Sequence, residues 1–283
     1  MGGVIYRLFI PYILLALVLG NPLSIGYLLK ILYGHIENVN GVAHLWYLPC
    51  FMISVLIFIT TQTFTKGKHR ILMPFLVFVS GFISSYFNYD NKIQISFADR
   101  IFHLTGYAAD IDNHYYIGFP YSFNAALTGF VLMYFGFLLK KFFNRYEVFQ
   151  SKLKCTTIGL ISLFIGLTSY LINQSNLEND FPFHLVTPSY SIYGNYILFL
   201  LTSVTLTIFI FCLSNFVDNK YTALYGRETL IIYAFHPFVA SLVSILGVPS
   251  FNGILPSILI LIITCMLIPV IKRIDPYLIG EKI

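Results

Sequence analysis

Residues 44–63 read HLWYLPCFMISVLIFITTQT, a histidine and two aromatic rings that lead into an apolar run without a charged side chain. The run from Leu45 to Thr63 has close to the roughly 20 residues that a helix needs to cross a bilayer. Trp46 and Tyr47 stand at its start, and such rings favour the headgroup level because one end is apolar and the other polar. The stretch therefore predicts a transmembrane helix that begins beside His44.

The composition of the 283-residue chain extends this prediction to the whole molecule. The chain is 57% hydrophobic and 10% charged, with a mean hydropathy of +0.78, whereas soluble domains carry about 25% charged residues. The apolar runs lack period-2 alternation, which favours helices over a transmembrane barrel. We predict an all-α, polytopic membrane bundle that forms one domain over residues 1–283. Its eight expected spans are Leu8–Leu19, Leu45–Thr63, Ile71–Phe87, Phe119–Leu139, Cys155–Ile172, Ile192–Val217, Leu230–Leu246 and Ile254–Ile271.

The basic residues predict the orientation of these spans. With the N-terminus inside, the inner segments hold fourteen of the seventeen basic residues, and the outer loops hold only Lys30, Lys92 and Arg100. This bias is what the positive-inside rule predicts, and both termini are then cytoplasmic. The net charge of +5 follows from topology, and no basic-aromatic RNA-binding motif appears, so we expect no nucleic-acid partner. The inner basic residues are Arg7, Lys66, Lys68, Arg70, Lys140, Lys141, Arg145, Lys152, Lys154, Lys220, Arg227, Lys272, Arg273 and Lys282.

Two expected outer loops, Asn88–Gly118 and Asn173–Ser191, are long and rich in polar and aromatic residues. Such loops suit sugar recognition, and they equally suit a loop that folds back on the membrane. Residues 173–175 read NQS, a formal glycosylation sequon. The histidines lack the spacing of a metal site, and Asp110 and Asp112 form only an isolated Asp-x-Asp pair, so no metal is expected.

Two histidines lie in or against the predicted membrane region. His44 stands at the outer end of the second span, and His236 lies within the seventh, directly before Pro237. An ionisable group at that depth is a functional hypothesis because its burial is costly. The alternative for His44 is an incidental position in an aromatic belt, and for His236 a neutral ring that bonds a neighbouring helix.

Four segments in this order resemble the acyltransferase 3 family of integral membrane O-acyltransferases. Arg7-Leu-Phe-Ile-Pro11 is similar to the family's basic-Leu-x-x-Pro motif, and residues 44–49 (HLWYLP) are similar to its His-x-Trp-aromatic-Leu segment. Residues 118–141 resemble a family span with a basic exit, and residues 225–237 resemble the late span in which a His follows a Gly-basic turn. The resemblance covers essentially the whole chain.

The resemblance implies transfer of an acyl group, usually acetyl from acetyl-CoA, to a hydroxyl of a glycan outside the bacterial inner membrane. The acceptor would belong to a capsule, an O-antigen or an exopolysaccharide. Family members usually have ten spans, and this chain begins at the basic-Leu-x-x-Pro motif. We therefore expect it to lack the family's first two helices, including a catalytic His for which no position here matches.

Within that resemblance, six residues are candidates for the site. The chemistry needs a base for the hydroxyl proton and a polar group for the developing oxyanion. His44 is the candidate base or relay, and His236 would relay protons or position the acyl carrier. Trp46 and Tyr47 would stack on a sugar ring or anchor the helix. Arg7 and Arg227, with Lys220, would pair with the phosphates of CoA or act only as topology signals.

Two other functions fit the same sequence. A transporter or polymerase of lipid-linked sugars has a similar number of spans, although an internal repeat of spans is absent here. An inactive remnant of an acyltransferase is the other alternative. The oligomeric state is not predicted, and membrane lipid is an expected partner of the chain.

Overall fold

The computed structural model describes residues 8–19, 28, 31–33, 43–65, 69–86, 120–180, 193–217, 232, 235–236, 239–240, 242–243 and 254–274. Seven α-helices of ten or more residues lie within these ranges, and no strand is found there. They are α1 (Ile10–Leu19), α2 (Tyr47–Phe64), α3 (His69–Tyr86), α4 (Phe123–Tyr146), α5 (Lys152–Asp180), α6 (Tyr196–Ser214) and α7 (Ile254–Ile274). Short 3-10 helices cover Ala43–Trp46, Pro120–Ser122 and Val148–Gln150.

Four of the described helices are long and apolar enough to cross a membrane: Tyr47–Phe64, Pro120–Tyr146, Lys152–Ser175 and Tyr196–Ser214. Leu72–Tyr86 and Ser257–Val270 are shorter apolar helices. The prediction of a helical membrane bundle is confirmed. The number of eight spans stays a prediction, since most of Leu230–Leu246 lies outside the described residues.

The predicted start of the outer loop at Asn173 is wrong. Helix α5 continues to Asp180, so the first part of the expected loop is helical. Asn173 is 2% exposed, its Nδ2 donates to the carbonyl of Tyr193 at 2.9 Å, and its Oδ1 accepts from the Asn195 amide at 2.7 Å. A buried asparagine that makes both bonds is not an accessible glycan acceptor, although residues 173–175 match the sequon.

The structure contains two compact units. One comprises residues 1–52 with 219–283, and the other residues 53–218. The prediction of one domain stays a prediction. In the second unit α5 packs against α6 along most of its length, α3 packs against α4, and α4 also contacts α6.

A stripe of small buried residues explains the close packing of α5 on α6. Its members recur at alternating spacings of four and three, which keeps them on one helix face. A Cβ at Gly166 would lie 2.7 Å from Leu206 Cδ2, and one at Gly159 would lie 3.0 Å from Cys212 Cβ. Small residues allow helices in a membrane to approach closely. The stripe consists of Cys155, Gly159, Ser162, Gly166, Ser169 and Asn173.

Candidate functional site

The predicted site residues all belong to the first unit, and an apolar cluster there contacts the segments that hold His44 and His236. The 3-10 helix Ala43–Trp46 contacts α1. Within the cluster, the Tyr12 hydroxyl donates to the Ile31 carbonyl at 2.8 Å. The polar group of the buried tyrosine side chain therefore has a hydrogen-bond partner in an apolar environment. The fully packed members are Tyr12, Leu15, Ala16, Ile31, Leu45 and Leu48.

Phe235 links the His236 segment to this cluster. It packs against the cluster that contains Leu45 and also against a second cluster around Ile268 of α7. Leu45 directly follows His44, and Phe235 directly precedes His236. The structure therefore brings the two histidine-bearing segments to one apolar cluster, although they are almost two hundred residues apart in the sequence.

The His236 ring is held by a bond to its own helical turn. Its Nδ1 lies 3.2 Å from the carbonyl oxygen of Ile232, and the residue is half-buried. Because a carbonyl oxygen only accepts, Nδ1 carries the proton in this bond. In the neutral ring Nε2 is then the unprotonated nitrogen, which is the form a proton acceptor requires.

His44 lies in the 3-10 helix, and its side chain is outside the described part of the structure. Beside it, the Trp46 and Tyr47 rings meet edge to face at 5.9 Å, and Tyr47 stacks on Phe51 at 5.5 Å between centroids. Trp46 is half-buried and Tyr47 is 41% exposed. An exposed ring fixed by a stacked neighbour suits contact with a ligand or with lipid headgroups.

Tyr33 is a further ionisable group of the first unit. It is 8% exposed, and burial raises the pKa of its phenol well above the usual value. A phenol is already neutral at physiological pH, and burial raises the pKa of Tyr33 further because loss of the proton would place a charge in a poorly solvated position. Tyr33 therefore contributes a hydroxyl and no charge to this unit.

The predicted cationic residues Arg7, Lys220 and Arg227 lie outside the described residues. Their pairing with CoA phosphates stays a prediction. Within the described ranges, no three His, Cys, Asp or Glu side chains lie close enough together to hold a metal ion.

A buried polar network in the second unit was missed by the sequence analysis. Ser84 Oγ donates to the Asn124 carbonyl at 2.7 Å and lies 2.6 Å from Thr128 Oγ1. The Thr128 hydroxyl lies 3.2 Å from the Tyr193 hydroxyl and 3.1 Å from that of Tyr196. These bonds join α3, α4 and the start of α6, and they satisfy the hydroxyls of Ser84 and Thr128, which are buried from solvent. Asn124 and Thr128 share one face of α4 four residues apart, which was the available sequence signal.

A comparison with protein-family models matches residues 3–273 to the acyltransferase 3 model, described as "Acyltransferase domain". Searches of curated proteins and of solved structures each gave no match. The family match covers nearly the entire chain, including all four segments on which the sequence resemblance was based, and it confirms that resemblance.

Proposed function

The chain belongs to the acyltransferase 3 family, and we propose that it transfers an acetyl group from acetyl-CoA to a hydroxyl of a cell-surface or lipid-linked glycan. The observation that carries the proposal is the family match over residues 3–273, which supports acyltransferase activity in general. The acetyl donor and the glycan acceptor are the proposal's own additions.

The reaction replaces a thioester with an oxygen ester. The glycan hydroxyl gives its proton to a base as its oxygen attacks the thioester carbonyl carbon, and the carbon–sulfur bond then breaks. The CoA thiolate leaves and takes up a proton, so atoms and charge balance. The protein must therefore supply a proton acceptor near the hydroxyl and polar groups near the developing oxyanion.

In this proposal His44 is the base or proton relay on the glycan side, beside the Trp46 and Tyr47 rings. The exposed Tyr47 ring supports this placement because aromatic faces pack against sugar rings. His236 is the second titratable group, and its Nδ1 bond to Ile232 supports a fixed tautomer with Nε2 as acceptor. The shared cluster that holds Leu45 and Phe235 supports joint action of the two segments.

The donor would bind from the cytoplasmic side through Arg7, Arg227 and Lys220, whose charges match the CoA phosphates. This arrangement assumes a bacterial inner membrane with both chain termini in the cytoplasm, as the distribution of basic residues predicts. The acetyl group must then cross from a cytoplasmic donor to an outer acceptor, which is a reason for an acyltransferase to be built from membrane helices.

The test compares O-acetyl signals in the NMR spectrum of the host's surface polysaccharide. A strain with the gene deleted is complemented with the wild-type chain, with His44→Ala, or with His69→Ala, a histidine of the second unit as the matched control. We expect the signals to be lost on deletion and restored by the wild type and by His69→Ala. They should stay absent with His44→Ala, although immunoblots of the membrane fraction show equal insertion.

Unchanged O-acetyl signals after deletion would contradict the proposed reaction. Full restoration by His44→Ala would leave the reaction in place and overturn the role of His44.

A further inference from the structure

A cavity of about 450 Å³ lies within the second unit, where α4 begins. Its walls come from α2, α3, the first turns of α4 and the turn that leads into α4, and all the lining residues belong to residues 53–218. Helix α4 continues from this point to Lys140, Lys141 and Arg145 at its other end. The cavity is therefore at the end of the second unit opposite these cations. Its lining residues are Ile53, Ile83, Pro120, Tyr121, Phe123, Asn124 and Leu127, and almost none of the surface that they present to the cavity is polar.

The lining is almost wholly apolar, and this property selects the occupant. A stable buried water needs two to four polar partners, which these walls do not offer. A polar or charged ligand would lose its hydration without compensation. Apolar walls of this extent would forfeit many van der Waals contacts if nothing packed against them. A hydrocarbon chain needs no polar partners, loses no favourable hydration and supplies the missing packing contacts.

Hydrogen bonds fix the cavity walls at the residues next to the lining. Ser54, which follows Ile53, donates from Oγ to the Ala126 carbonyl at 2.9 Å. Ser84, which follows Ile83, donates to the Asn124 carbonyl at 2.7 Å. Both wall helices are thus tied to α4 on either side of the space, and a site held in this way is already formed before a ligand arrives.

The turn at the cavity has an unusual backbone. Tyr121 and Ser122 have φ values of 56° and 49°, so two consecutive non-glycine residues adopt the left-handed conformation. This conformation costs roughly 1–2 kcal/mol per residue. Strained backbone of this kind persists where surrounding structure imposes it, and it is frequent at ligand sites. Here the turn places Tyr121 and Phe123 in the cavity wall on either side of the buried Ser122.

We propose that this cavity is a binding site for one hydrocarbon chain of a membrane phospholipid. Most of the lining residues belong to Tyr47–Phe64 and Pro120–Tyr146, two helices that are long and apolar enough to cross a membrane, and Phe123 in the cavity wall is 42% exposed, so the lining continues to the surface of the unit. Bilayer lipid is the apolar ligand that such a surface meets at the highest concentration. The proposal rests on the geometry of the second unit and does not depend on acyl transfer.

The test uses the full chain in lipid nanodiscs that contain a phospholipid with a photoactivatable diazirine on one acyl chain. After irradiation, mass spectrometry of peptides counts adducts at each residue. We expect adducts at Ile83, Tyr121 or Phe123 to saturate as the probe fraction rises, because a discrete site fills. Adducts at Phe82, which is 63% exposed on the same helix, should rise in proportion to the probe.

Two variants provide a matched pair. Ile83→Trp fills the cavity and should lower adducts at Tyr121 and Phe123 by about tenfold, equivalent to about 1.4 kcal/mol of binding. Phe82→Trp, one residue earlier, should leave them unchanged. Adducts at the lining residues that grow linearly in the wild-type protein, like those at Phe82, would overturn the proposal even if Ile83→Trp failed to fold. An equal yield in a folded Ile83→Trp protein would also overturn it.

Discussion

A close contact between Ser54 of α2 and Gly129 of α4 predicts a sharp difference between two glycines of α4. A Cβ added at Gly129 would overlap Ser54 Oγ and lie 3.1 Å from Ser54 Cβ, whereas ordinary contact begins near 3.4 Å. A Cβ at Gly136 meets nothing within 4 Å. The two positions are seven residues apart on one helix, so Gly136→Ala is a matched control for Gly129→Ala.

The expected loss of stability in Gly129→Ala follows from the contacts that Ser54 would lose. To avoid the new methyl group its hydroxyl has to leave the Ala126 carbonyl, which costs about 1 kcal/mol. The remaining contact at Cβ adds an overpacking cost, typically about 1–3 kcal/mol. Replacement of a helical glycine by alanine returns about 0.5–1 kcal/mol. Gly129→Ala should therefore destabilise the protein by about 1–3 kcal/mol, and Gly136→Ala should be neutral or slightly stabilising.

The assay is thermal unfolding in detergent micelles, followed by circular dichroism of the helices. A loss of 1 kcal/mol lowers the Tm of a domain of this size by about 2–4 °C. Ser54→Ala in the Gly129→Ala background removes the nearest atom, so the double variant should lose less stability than the two single losses added together. Equal Tm values for Gly129→Ala and Gly136→Ala, or additive losses in the double variant, would refute the described packing.

Three further results are expected. Thr128→Val removes the hub of the polar network and should lower the stability by about 1–2 kcal/mol in the same unfolding assay, whereas the exposed Thr207→Val should not; equal Tm values would contradict the network. Asn173→Ala leaves the Tyr193 carbonyl and the Asn195 amide without the Asn173 side chain as their partner, and it should lower the free energy of unfolding by about 1–3 kcal/mol. An unfolding curve that matches the wild type would contradict this. His236→Gln should lower the rate of acetyl transfer from labelled acetyl-CoA by about 10²–10⁴-fold if the ring transfers a proton, and a rate within a factor of about two of the wild type would end that role.

Sequence reasoning succeeded where one local property decides the structure. The length and hydropathy of the runs at Leu45–Thr63 and Phe119–Leu139 predict helices because the membrane leaves the backbone few alternatives. It failed at residues 173–180, whose polar composition is typical of a loop. There the tertiary bonds of Asn173 to Tyr193 and Asn195 accompany a longer helix.

The candidate site, like the fold, could be predicted from the sequence only in part. The segments around His44 and His236 could be found from their similarity to family motifs, but their attachment to one cluster depends on Leu45 and Phe235, whose pairing leaves no local pattern. The network joins Ser84 to Thr128, which are 44 positions apart in the sequence. The spacing of Asn124 and Thr128 places both on one helix face, but it does not identify Ser84 as their hydrogen-bond partner. The small-residue stripe of α5 was not predicted, although its alternating spacing is present in the sequence.

The central claim is acetyl transfer from acetyl-CoA to a glycan, and one measurement tests it most directly. Inverted membrane vesicles that contain or lack the protein are given acetyl-CoA labelled in the acetyl group, and label is counted in the purified glycan after the glycan has been released from any lipid carrier. We predict label in the glycan only when the wild-type chain is present, with mild alkali releasing it as acetate because an oxygen ester has formed. Label no higher than in vesicles that lack the protein, with the chain inserted and the glycan present, would contradict the account.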